Sequence, residues 1–192
     1  MKLHGSYTSP FVRHCRIALA QAGLAHEFIE TDYSQSAQLS PTARVPFLQD
    51  GDRRLSDSAS ILRHIREQAD QVFCADLMDF DFYLLVDTAL DTAVNLFLLE
   101  RDGITPDNSA YLQRQQQRVK ACMDELESRT AGHPQRARPE QSDGLLRLGC
   151  FLAWGLFRQR ISLDGYPALT DLLQDLEQVD EFASTRPPTG PR

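Results

Sequence analysis

Eight residues near the start of the chain, Ser6-Tyr7-Thr8-Ser9-Pro10-Phe11-Val12-Arg13, constrain the fold more than any others. They join a short apolar opening to a segment with helical apolar spacing. Ser9 is a favoured N-cap, because its hydroxyl accepts a hydrogen bond from a backbone N–H that the helix leaves unpaired. Pro10 suits the first helical position, where its missing N–H costs nothing. The pattern predicts a strand over 2–6, a tight turn and a helix over 10–22. Phe11, Val12, Cys15, Ile17, Ala18 and Leu19 supply its broad buried face, and Gly23 stops it. His14 is expected to be exposed on this helix, and Cys15 to be core. An anion such as a thiolate is favoured beside Ser9, at the positive end of the helix dipole. Residues 27–30 read as a second strand, with a parallel β-α-β pairing expected.

Residues 32–40 are polar and weakly patterned, and read as a loop with at most one irregular turn of helix. Val45-Pro46 then enters a strand, where a proline is confined to special geometry. Residues 47–49 and 53–55 flank Asp50-Gly51, a hairpin signal. Ser56-Asp57-Ser58 opens a helix to residue 68. A helix N-terminus welcomes a carboxylate, and the Asp57 carboxylate would welcome an amine. Asp57 or Ser58 equally suits a plain N-cap.

These stretches resemble known proteins. Ser9-Pro10-Phe11-Val12 is similar to the Cys-Pro-aromatic-Cys site of glutaredoxin-like proteins with both cysteines replaced. Residues 8–13, followed by Arg16-Ile17-Ala18-Leu19, resemble the first strand–helix corner of bacterial glutathione transferases of the serine type. Ser40-Pro41-Thr42-Ala43-Arg44-Val45-Pro46-Phe47-Leu48 resembles the family's Asn-Pro-x-Gly-Lys-Val-Pro-x-Leu stretch, and Asp57-Ser58 its Glu/Asp-Ser pair. The resemblance implies a thioredoxin-like α/β domain over 1–72, an all-α domain over 76–183 and a flexible tail over 184–192. It implies that glutathione is the co-substrate and that Ser9 hydrogen-bonds its sulfur. Phe11 would pack beside the tripeptide, and Arg44 would meet the glycyl carboxylate. Val45, before a cis Pro46, would pair with the cysteinyl backbone. Ser58 would hold the γ-glutamyl carboxylate and Asp57 its ammonium. Tyr7 is the competing hydroxyl, since other members use a tyrosine there. Ser40, Ala43 and Arg44 depart from the usual Asn, Gly and Lys.

After a linker over 69–74 the pattern stays helical. Helices are expected over 76–101, from a cap at Asp107 or Asn108 to 130, and over 145–157, the last apolar enough to be central. Gln115-Gln116-Gln117 reads as a solvated face, and 132–141 as a loop. A final helix would turn Leu169, Leu172, Leu173, Leu176 and Val179 inward. The resemblance implies that Leu148-Gly149-Cys150 lies in the family's central helix. Ser142 keeps that helix's cap, but Leu145 replaces the aspartate that closes its capping box. It also implies an electrophile pocket between the domains, with Leu98, Arg101, Trp154 and Phe157 as candidate lining beside Tyr7, and a homodimer.

The formal charge of -7 argues against nonspecific nucleic-acid binding, which needs a basic footprint. No uninterrupted apolar run approaches the roughly 18 residues of a membrane span, and no N-terminal signal core appears. A cytoplasmic protein is expected. The scattered cysteines, at 15, 74, 122 and 150, suit small buried hydrophobes, and no metal-ligand cluster appears. Two functions remain open: conjugation of glutathione to small apolar electrophiles, or a weakly active or non-catalytic transferase-like binding or regulatory protein. Thiol–disulfide exchange is disfavoured, because it needs an attacking cysteine and none stands at 9–12.

Overall fold

β1 (Lys2–Gly5) is the strand around which the first unit is laid down. It pairs in parallel with β2 (Glu27–Glu30) and antiparallel with β3 (Phe47–Asp50), which in turn pairs antiparallel with β4 (Arg53–Leu55). The sheet order is β2-β1-β3-β4. Leu3 and Leu48 face each other in the register and are both buried. Helix α1 (Pro10–Gln21) packs on α3 (Ser58–Gln68), and Val12, Ile17, Leu19, Ile61, Leu62 and Ile65 fill the core. Gly5 is required where β1 meets α1: a Cβ there would lie 2.5 Å from Val12 Cγ1. That close approach sets where the turn before Ser9 begins.

The computed structural model describes residues 1–188. It divides the chain into one unit of residues 1–73 with the segment from Glu177, and a second of residues 74–176.

Several expectations need correction. Residues 33–39 form a helix, α2 (Tyr33–Leu39), rather than a loop. Asp32 caps Gln35 N while the Gln35 side chain returns to Asp32 N, so a reciprocal capping box starts it. Those backbone and Ser34 hydrogen bonds hold the Asp32 carboxyl below its ordinary pKa. His14 is fully buried rather than exposed, as is Arg13 at 3% exposure. The reason is that α1 is covered by α3 and also by the chain's C-terminal segment. That segment contains α8 (Asp180–Ala183) and belongs to the first unit, not to the helical one. Arg13 donates to Phe182 O at 2.9 Å and Thr185 Oγ1 at 3.3 Å, and stacks 3.9 Å over the Phe182 ring. Thr185 is therefore buried, not part of a tail; residues 189–192 lie outside the described residues.

In the second unit α4 (Leu77–Arg101) packs against α5 (Ala110–Ala131) and α6 (Asp143–Phe157), and α7 (Pro167–Leu176) against both α5 and α6. By length and composition α4 would suffice to cross a membrane, contrary to the expectation from uninterrupted apolar runs. Within this unit one face of α4 packs on α5 and α6, while Leu77, Met78, Phe80 and Leu84 are exposed. Ser109, not Asp107 or Asn108, caps α5, after a 3-10 turn. Gln115 is buried, while Gln116 and Gln117 are exposed. Leu145 is buried, and α6 runs from Asp143. The final helix breaks after Leu176, so that Val179 caps α8 instead of continuing α7. All four cysteines are buried, and none forms a disulfide among the described residues.

Candidate active site

The strand register brings three corners of the first unit to one end of the sheet. Antiparallel pairing sets the C-terminal end of β1 beside the N-terminal end of β3, with His4 opposite Phe47. It also sets the C-terminal end of β4 there, with Leu55 opposite Leu48. The turn leading to Ser9, the Val45-Pro46 peptide and the Asp57-Ser58 pair follow or precede those three strand ends.

At the first corner Ser9 N donates to Ser6 O at 3.1 Å, closing the turn. Ser9 Oγ then caps α1, accepting from Val12 N at 3.4 Å, a long bond. Ser9 is half-buried. Its hydroxyl hydrogen meets no acceptor among the described residues, so the side chain can still donate. The arrangement is a hydroxyl donor at a helix N-terminus, a place where negative charge is favoured. Tyr7 has its ring against Phe28, with centroids 4.7 Å apart, and the Arg16 guanidinium lies 4.8 Å above it. Phe11 is half-buried on the first turn of α1.

At the second corner the Val45–Pro46 peptide bond is cis. The Val45 peptide group forms no hydrogen bond among the described residues, so its N–H and C=O are open to an extended ligand. Ala43, where the family has glycine, sits at φ 50, in the left-handed region that favours glycine. The buried Ser36 hydroxyl holds this turn, donating to Ala43 O at 3.1 Å. Arg44 is exposed.

At the third corner Asp57 caps α3, with Oδ1 accepting from Ala59 N at 2.8 Å. The capping role is thus realised, and the exposed second oxygen remains for an ammonium. Ser58 is buried at the first helical position.

The whole of this architecture has known counterparts. Residues 3–72 match the family described as glutathione S-transferase, N-terminal domain. That stretch belongs to this family. The chain as a whole has the glutathione transferase fold: a structure of a glutathione S-transferase from Methylobacillus flagellatus KT with glutathione bound superposes with a TM-score of 0.86 at 21% identity, over 97% of this chain and 99% of that one. A glutathione S-transferase of Methylobacterium radiotolerans JCM 2831, complexed with glutathione sulfonate, gives 0.82 at 20% identity, over 100% and 96%. In sequence, the uncharacterized GST-like protein YibF of Escherichia coli strain K12 is 28% identical, over 98% of this chain and 99% of its own length.

In the helical unit of this transferase fold, Leu98 is half-buried and Arg101 exposed at the end of α4. Trp154 is buried and Phe157 is 43% exposed on the last turns of α6. By its spacing Phe97 reads as one more core residue, and no sequence signal singles out Arg158 or Arg160. The structure makes Phe97 a centre: its ring meets Trp154 edge-on at 5.9 Å, and the guanidiniums of Arg101, Arg158 and Arg160 lie 6.0, 5.1 and 5.7 Å from its centroid. A groove of about 710 Å³ in the same unit has Leu96, Glu100, Lys120, Met123, Arg160 and Tyr166 on its walls; none of the four candidate pocket residues lines it.

Proposed function

We propose that the protein is a glutathione transferase in which the Ser9 hydroxyl holds the glutathione sulfur as a thiolate for attack on a small electrophile. A thiol has a pKa of about 8.5, so only a few per cent is thiolate at neutral pH. Lowering that value by two units requires roughly 2.7 kcal/mol. A hydrogen bond to a charged acceptor contributes about 1.5–3 kcal/mol, and a helix N-terminus about 0.3–1. Ser9 and α1 are together sufficient.

One observation carries this reading: Ser9 Oγ receives a single long bond from Val12 N and keeps its own hydrogen for an outside acceptor. The open Val45 peptide group and the N-terminus of α3 suit the backbone and γ-glutamyl carboxylate of the tripeptide, with Asp57 for its ammonium and Arg44 for its glycyl carboxylate. The glutathione carried by the Methylobacillus structure supports the same ligand here. Leu98 and Phe157 offer apolar surface for the electrophile, whereas Trp154 is buried. By family likeness the active form is a cytoplasmic homodimer.

The test is a pH titration of bound glutathione, read by thiolate ultraviolet absorbance. The bound thiol is expected to titrate about one to two units below the free one, and in Ser9→Ala to move back up. Glutathione that binds with its ordinary thiol pKa would leave a binding protein instead. An unchanged value in Ser9→Ala would transfer the role to Tyr7.

A further inference from the structure

Arg13 lies one turn beyond Ser9 on α1 and is 3% exposed. A buried charge is costly unless it is paired and hydrogen-bonded. The C-terminal segment meets that need: Nη2 donates to Phe182 O, Nε donates to Thr185 Oγ1, and the Glu177 carboxylate lies 3.6 Å away. An apolar side chain would cover the Phe182 ring at less cost, so burial alone gives no reason for an arginine. A guanidinium fork differs in fixing direction: two acceptors and a ring face admit one orientation, where an apolar contact can slide. The backbone of the same residue is tied to the site, since Arg13 N donates to Ser9 O at 3.0 Å and closes the first turn of α1. Arg16 makes a second tie. It reaches Thr185 O at 3.5 Å, and its guanidinium lies over the ring of Tyr7, inside the turn that precedes Ser9. Among the described residues Ser9 Oγ is held by one long bond, from Val12 N, so the setting of α1 decides where that hydroxyl points.

We propose that residues 182–185 buttress α1 so that the Ser9 hydroxyl faces its acceptor, with Arg13 as the positioning residue and Thr185 as its anchor. All of these residues belong to the first unit. This rests on the transferase reading in one respect only: the acceptor is taken to be the glutathione sulfur.

Three variants of the full chain test this. Arg13→Lys keeps the charge and loses the fork, Thr185→Val removes the acceptor of Arg13 Nε while keeping the shape, and Thr185→Ser keeps the hydroxyl. Should Arg13→Lys fail to fold, Thr185→Val carries the test. Without glutathione, amide hydrogen exchange at Val12 and Arg13 is expected to run about 3- to 10-fold faster in Arg13→Lys and Thr185→Val, relative to the amides of α3. Thr185→Ser should match the parent. A general loss of stability would speed α3 alike, so equal acceleration there, or none at Val12 and Arg13, would overturn the buttress. With glutathione bound, the thiol pKa is expected to rise by about 0.5–1 unit in Thr185→Val and to stay at the parent value in Thr185→Ser. Affinity for S-methylglutathione, which has no thiol to ionise, should change by less than about twofold, because the second and third corners are untouched. A bound thiol lowered in the parent and equally lowered in Thr185→Val would overturn the positioning role. A parent thiol that titrates normally, with the selective exchange still seen, keeps the buttress and overturns the transferase reading.

Discussion

Of the serines that cap helices in this chain, Ser9 and Ser142 differ in what their hydroxyl hydrogens meet. Ser142 caps α6 with Leu145 N at 3.1 Å and passes its own hydrogen to Asp79 Oδ1, also at 3.1 Å. It is 1% exposed. Asp79 in turn accepts from Ala75 N at 2.8 Å through its other oxygen, and His133 Nε2 lies 3.8 Å from Oδ1. Ser142 is therefore committed on both sides. Ser9 caps α1 through a longer bond, is half-buried, and keeps its hydrogen. The same residue type at the same helical position is committed on both sides where a carboxylate accepts its hydrogen, and keeps a donor to offer where none does. With Leu145 in place of the capping-box acid, the Ser142 N–H donates to Pro139 O at 3.2 Å instead.

Substituting both serines tests the contrast directly. Ser142→Ala should destabilise the protein by about 2–3 kcal/mol, losing a cap and leaving a buried carboxylate oxygen short of a donor. Urea unfolding measures this, and a loss below about 1 kcal/mol, the ordinary worth of a cap, would deny Ser142 its special place. Ser9→Ala should lower the conjugation rate by about 10- to 100-fold while costing only about 0.5–1 kcal/mol of stability. If instead its stability loss matched that of Ser142→Ala, the division between structural and chemical caps would fail.

A smaller effect is expected beside the second corner. Ala43 occupies a left-handed backbone conformation, so Ala43→Gly should stabilise by about 0.5–1 kcal/mol in the same unfolding measurement. The smallest effect concerns His133. Burial lowers its pKa below the ordinary 6.5, against the opposing influence of Asp79. The unfolded imidazole thus takes up its proton first on acidification. Its contribution to stability is whole above 6.5 and declines as pH falls from there through the folded value. His133→Asn should flatten the fall in melting temperature between about pH 7 and pH 5. His4, whose pKa burial also lowers, should keep part of the slope.

Much of the fold is legible in the order of the amino acids. The strand–turn–helix at Ser9, the Asp50-Gly51 hairpin and the Asp57 cap all depend on residues within a few positions of one another. The capping box Asp32-x-x-Gln35 is equally local, but the residues after it carry too little apolar patterning to announce a helix. Legibility is poorer in the helical unit. There Phe97 has the spacing of an ordinary core residue, and nothing near it in the chain points to Arg158 or Arg160.

What the amino-acid sequence determined alone, then, is where elements begin and end, because caps and turns are decided by neighbours three or four residues apart. What only the tertiary structure decided is what those elements do to each other. Arg13 finds its acceptors 169 and 172 residues away, in a segment that reads as a tail. Ser142 finds Asp79 across 63 residues. Burial of a charged or polar group depends on which distant partner can satisfy it, and no local pattern carries that information.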